Sequence, residues 1–148
     1  MMKMSAKLTR DRSELALRRY DSAARRGIDK AGQYLLTQLK RGYTNYYTTQ
    51  AFRNTIFIRQ NLTVATPEKQ RTGWYTLAGV PSAMVVPKGQ KRVVDRGLVA
   101  LGWELGHTNE FNPTGRGHVP IAKPTALKSV QKIIDIFAAT VKRSMDAK

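Results

Sequence analysis

Seven apolar residues, Leu17, Tyr20, Ala24, Ile28, Ala31, Leu35 and Leu39, recur at steps of three and four. That spacing puts them on one stripe of a 3.6-residue period and commits residues 10–41 to a long helix. Ser13, with Asp11 just before it, offers capping oxygens near the start, and Gly42 follows the last periodic residue, where helices commonly stop. Gly27 and Gly32 work against the helix, each costing about 1 kcal/mol relative to Ala in a helix interior. Arg18, Arg19, Arg25, Arg26 and Lys30 form the opposite face, partly balanced by Asp21 and Asp29.

After residue 50 the period changes. "FRNTIFIRQNLTVAT" alternates Thr55, Phe57 and Arg59 with Ile56, Ile58 and Gln60, is rich in β-branched and aromatic residues, and reads as a strand. "GWYTLAGVPSAMVVPKGQ" supplies two more extended pieces broken at Pro81 and Pro87. "VALGWELG" reads as a fourth, with Trp103 and Leu105 alternating against Glu104. No stretch between these pieces is long enough for a helical crossover, so their pairing is expected to be antiparallel. Beyond Pro124 the helical period returns: Leu127, Val130, Ile134, Phe137, Val141 and Met145 make an apolar stripe, with Lys128, Lys132, Lys142 and Arg143 facing away. The order predicts an α+β domain, an antiparallel sheet packed against a long N-terminal helix and a C-terminal helix. Leu127, Ile134 and Phe137 are expected to be buried against that sheet.

At 148 residues the chain is long enough for one ordinary core, and a single domain over 1–148 is expected, with 1–9 as a flexible basic segment. The absence of Cys excludes disulfides, thiolate metal sites and a thiol nucleophile. "MMKMSAKLTRDRSELALRRY" is interrupted by charge every few residues, so neither a signal peptide nor a membrane span is expected. Charge is the extreme feature, with 26 Lys and Arg against 10 Asp and Glu and a net +16. Residues 1–50 hold eleven bases and four acids, 51–102 eight and two, and 103–148 seven and four, so the excess lies in the first two thirds. Such a surface repels itself when compact and points to an anionic partner. Candidates to meet it are Arg18, Arg19, Arg25 and Arg26 on the first helix, and Lys88, Lys91 and Arg92 in "VVPKGQKRVVDRG", a basic loop or hairpin tip.

Catalytic chemistry has little to stand on. His107 and His118 with Glu104 and Glu110 carry nitrogen and oxygen donors, but their spacing is neither that of a zinc-peptidase helix nor that of a finger, and no metal or cofactor is expected. No G-x-S-x-G elbow and no phosphate-binding loop is present, so no catalytic residue is assigned. The segment from Gly102 to Val130 is rich in turn formers and reads instead as a contact loop, with Phe111 placed where a partner would cover it.

Three pieces of the chain, Phe52 to Ile56 ("FRNTI"), Trp103 to His107 ("WELGH") and His118 to Leu127 ("HVPIAKPTAL"), follow a long N-terminal helix in this order. The arrangement resembles the neck or tail-completion family of head-tail connector proteins of tailed bacteriophages. It departs from the family in "YYTTQAFRN", where a T-G-x-L-R pattern is usual, and in Thr125, where an aromatic is usual. The resemblance implies a non-enzymatic virion protein, made in the host cytoplasm, that forms a homo-oligomeric ring of about six or twelve copies. Its neighbours would be head-closure and tail-tube or terminator proteins, with the genome passing through the centre. On that view Trp103, Glu104, His107, Phe111, His118 and Pro120 make subunit or ring contacts, and the basic residues face DNA or an acidic neighbouring ring. Two alternatives stay open. One is a tail-terminator relative. The other is a free nucleic-acid-binding protein of ribosomal or nucleoid type, for which the tyrosines at 43, 46 and 47 would stack bases.

Overall fold

The computed structural model describes residues 2–50, 53–105 and 120–147, with side chains over 12–45, 55–105 and 120–147. Its frame is a pair of helices, α1 (Met2–Gln50) and α4 (Ala122–Asp146). α1 has 49 residues, roughly 73 Å at about 1.5 Å per residue, and α4 has 25, roughly 37 Å. The pair is antiparallel. A Cβ on Gly27 would lie 2.7 Å from the Phe137 ring, and one on Gly42 would lie 2.9 Å from Ile121 and 3.1 Å from Thr125. Both glycines are therefore spacing residues that let the α4 side chains approach the α1 backbone. The seam between them is lined by small residues, with Ala24 and Ala31 of α1 and Ser129 and Thr140 of α4 all buried. Extending this register along both helices sets the end of α4 opposite roughly residue 18 of α1. The N-terminal part of α1 thus runs on beyond its partner, and every described side chain from 12 to 20 is exposed.

The flank of α1 beside this seam carries two of three short strand pairs, and the third lies by a shorter helix. β1 (Thr63–Val64) pairs with β4 (Ala78–Gly79), β2 (Glu68–Gln70) with β3 (Gly73–Tyr75), and β5 (Met84–Val85) with β6 (Val94–Asp95), each pair antiparallel. A Cβ on Gly32 would touch Val64 and Thr76, which fixes the β1–β4 pair on that side of α1. Two shorter helices complete the chain, α2 (Arg53–Asn61) and α3 (Arg96–Leu105). The main core forms where they meet α1 and the start of α4: Leu39, Tyr43, Ile58, Leu62, Trp103 and Ile121 are buried together. Trp103 is 2% exposed; taking about 200 Å² of ring out of water is worth at most about 5 kcal/mol.

The α+β class and antiparallel pairing hold, but several elements differ from expectation. The helix does not stop at Gly42, because there the glycine receives Ile121 and the next residue, Tyr43, is buried. It is also helical from Met2, where a flexible segment was expected over 1–9. "RNTIFIRQN" is helix rather than strand: Thr55 and Ile58, with Leu62 just past its end, are buried at steps of three and four, and this period prevails over the alternation of their neighbours. "VALGWEL" is likewise helix, burying Val99 and Trp103 four apart. The strands form three two-stranded pieces in place of one sheet. α4 packs on α1 rather than on strands, so Leu127 and Ile134, expected in the core, are 65% and 52% exposed, and Phe137 is half-buried against Gly27.

Replacing Gly27 with Val drives two methyl groups into the Phe137 ring and is expected to cost about 1–3 kcal/mol in urea melts. Lys132→Ala, on the exposed side of α4, is expected to change stability by less than about 0.5 kcal/mol. Equal stability of the two variants would contradict the seam.

Candidate functional site

The best-defined polar constellation joins "WELGH" and "HVPIAKPTAL" through one side chain. Glu104, in the last turn of α3, accepts hydrogen bonds from the backbone N–H of Ile121 (3.1 Å to each oxygen) and of Ala122 (3.0 and 3.1 Å). Tyr43 of α1 donates its hydroxyl to the same carboxylate at 2.6 Å. Ile121 is the N-cap residue of α4 and has no side-chain cap of its own, so Glu104 supplies from another helix what Ser or Asp usually supplies locally. A carboxylate there also meets the positive end of the α4 dipole. Pro124 falls in the same first turn, where its missing N–H removes one of the donors that a helix start leaves unpaired. Burial, and then the Glu104 carboxylate beside it, push the Tyr43 hydroxyl well above the usual phenol range, which keeps the proton in place to be donated. In the chain, Glu104 and Ile121 stand on either side of 106–119, and this carboxylate ties the two together.

α3 is held at its other end by a cap of its own. Asp95 accepts from the N–H of Gly97 at 2.8 Å and of Leu98 at 3.1 Å, and from the Ser82 hydroxyl. These donors, Ser82 first, hold its carboxyl below the usual range. Arg96 reaches back to the carbonyl of Pro81 at 2.9 Å and to Asn61 at the end of α2. α3 is thus fixed at both ends and carries two apolar stripes. Val99 and Trp103 face the core, while Leu98, Leu101 and Leu105 face outward, with Leu98 67% exposed. A short helix apolar on both sides is built to be covered on both. Met84, Val86 and Val93 on the β5–β6 hairpin are open as well. A further open stripe lies on α4, where Leu127, Val130, Ile134 and Met145 recur at helical spacing beside Phe137.

Among the residues expected at a subunit contact, Trp103 and Glu104 turn out to serve the interior. Trp103 fills the core, and Glu104 caps α4. Pro120 is exposed just before the α4 cap. His107, Phe111 and His118, with Glu110, lie outside the described residues. Among the described residues no group of His, Asp or Glu could hold a metal ion, and no helix is long and apolar enough to cross a membrane. Tyr43, expected to stack bases, is buried with its hydroxyl occupied; Tyr46 and Tyr47 are not among the described side chains.

The basic candidates fall into two groups. Lys88, Lys91 and Arg92 lie on the loop between β5 and β6, where Gly89 takes a φ of 82° that favours glycine. This loop borders Ile56, Phe57 and Gln60 of α2. Arg18, Arg19, Arg25 and Arg26 are exposed along α1, next to the β2–β3 hairpin. There Asp21 accepts from Lys69 at 2.7 Å and from the Trp74 indole at 3.0 Å, donors that hold its carboxyl below the usual range, Lys69 contributing most. Sequence reasoning did not find Tyr43, Asp21 or Trp74 as polar partners. The pairings cross long stretches of chain and leave no local pattern. Asp95 did have one: an acid directly before an apolar run of helical spacing. Comparison with protein families, curated proteins and solved structures returns no match to this chain.

Glu104→Ala strands two backbone donors and a phenol, and is expected to cost about 3 kcal/mol in urea melts, with Tyr43→Phe costing about 1 kcal/mol. The double variant is expected to lose less than the sum, since both changes remove one shared bond. A Glu104→Ala loss no larger than that of Tyr43→Phe would mean that the start of α4 is held by something else.

Proposed function

We propose that this chain is a structural, non-enzymatic protein of a tailed-phage neck, assembling as a ring between head and tail through which the genome passes. The observation that carries the reading is the open apolar surface left after the chain has folded on itself. The outer stripe of α3 with the β5–β6 hairpin, and the stripe of α4, are aliphatic, ordered on well-capped helices, and uncovered. Patches of this kind mark protein interfaces. They are built from different elements, which suits a head-to-tail contact, where one surface of a subunit meets a different surface of the next and the chain of contacts closes as a ring.

The motif resemblance gains physical support from the Glu104 junction. "WELGH" supplies the carboxylate, and "HVPIAKPTAL" supplies the two amides it caps, so two of the three motifs are halves of one structural unit. The free nucleic-acid-binding alternative is weakened by the burial of Tyr43 and gains nothing from the open aliphatic stripes.

Light scattering on the purified chain tests the reading. The full-length protein, alone or with phage tails, is expected at a multiple of 16.6 kDa. Ile134→Glu and Leu101→Glu, each a charge on an open stripe, should reduce it to the single-chain mass while changing the unfolding free energy from urea melts by less than about 0.5 kcal/mol. A wild-type chain that stays monomeric under every condition would turn the reading to the free binder.

A further inference from the structure

We propose that α1 and the β2–β3 hairpin together form a sequence-independent contact surface for the phosphate backbone of duplex DNA. Arg18 and Arg25 lie on one stripe of α1, Arg19 and Arg26 on the next, and all four are exposed. The hairpin adds Lys69 and, at its turn, Arg71, both exposed. Asp21 fastens the two elements by accepting from Lys69 and from the Trp74 indole. The surface is therefore one unit made from distant parts of the chain.

Three of its cations are held in place before any ligand arrives. The Arg25 guanidinium lies 5.5 Å from the centre of the Trp74 ring, and the Lys69 ammonium 5.9 Å. Arg26 donates to the Ser22 hydroxyl at 3.3 Å and to the Ser22 carbonyl at 3.5 Å. Holding these long side chains in place lowers the ordering cost of binding. Each arginine stripe repeats every seven residues, roughly 10.5 Å along α1. That spacing lets the two arginines of a stripe engage separate phosphates rather than compete for one.

The arrangement favours duplex DNA over the two other anionic partners. Single strands bind by stacking successive bases on a row of open aromatic faces, whereas Trp74 is half-buried beneath Arg25 and Lys69 and Tyr20 is a lone open ring beside them among the described residues. An acidic protein surface would need an apolar centre to the contact; Leu17 and Tyr20 are open here, but interleaved with Arg18, Asp21 and Lys69 rather than forming a patch of their own. The inference deepens the neck reading by naming what its charge meets, and rests on that reading only for which DNA is bound. The assay needs no assembled particle, so its failure is distinct from a failure of ring formation.

The test is fluorescence anisotropy of the full-length protein with two labelled 30-base-pair duplexes of unrelated sequence, titrated across a range of salt. Equal affinity for both duplexes is expected, with log K falling linearly against log salt. Arg18→Gln/Arg25→Gln/Arg71→Gln should flatten that slope by roughly 2 to 3, about 0.9 for each lost phosphate contact, with an unchanged circular dichroism spectrum. Lys88→Gln/Lys91→Gln, on the other hairpin, should keep the wild-type slope. An unchanged slope in the triple variant would overturn the proposal. So would a marked preference for one duplex or for a single strand, or polyglutamate competing as well as DNA at equal charge.

Discussion

One carboxylate at the C-terminal end of α3 accepts from two backbone amides at the start of α4 and from a phenol on α1, and the positions of three helices follow from those bonds. Each of these donors, left unpaired in a buried place, would cost about 1–3 kcal/mol. Glu104 therefore fixes α4 at its first turn, and Ile121 beside it is driven into the core against the gap left by Gly42. From that anchored end α4 runs back along α1 until Phe137 reaches the second gap, at Gly27. The polar junction and the glycine seam thus set the register of the helix pair jointly, the first by direction and the second by distance.

What the pair does not cover is as consequential as what it does. α4 spends its small and polar residues, Ser129 and Thr140, on α1, since only small side chains permit so close an approach. Its large aliphatic residues are left pointing to the side, and α3 repeats the pattern in miniature, with Trp103 inward and three leucines outward. Single exposed leucines are ordinary; several aligned on one helix face form a patch. In the proposed ring, their place on elements capped at one or both ends would make the contact rigid before association and lower its entropy cost.

Charge follows a different logic from packing. The long α1 extends past the end of α4 only before about residue 18, and Arg18, Arg19, Arg25 and Arg26 stand on the sides of α1 that its packing partners leave open. The β2–β3 hairpin brings two further cations to the same place, and Asp21 serves as the bond between helix and hairpin. The acidic residues are thus structural in three instances: Asp21 docks a hairpin, Asp95 caps α3, and Glu104 caps α4. With so few acids engaged internally, much of the +16 charge remains for the outside.

The sequence by itself determined the two long helices, the antiparallel pairing, the breaks at Pro81 and Pro87 and the exposed lysines of α4, because each rests on local periodicity or backbone chemistry. Tertiary structure alone decided the rest. Residues 53–61 and 99–105 have side-chain patterns compatible with strand or helix, and only contact with Tyr43 and Leu39 selects the helical period that buries Ile58 and Trp103. Gly42 reads as a stop signal locally, and becomes a contact site because Ile121 arrives from the far end of the chain. The C-terminal stripe was legible as apolar, but whether it would be covered depended on which element α4 met. Glu104 was visible as an acid in a loop-like motif; its task as a helix cap was not, since the donors it serves are separated from it by residues whose path no local rule prescribes.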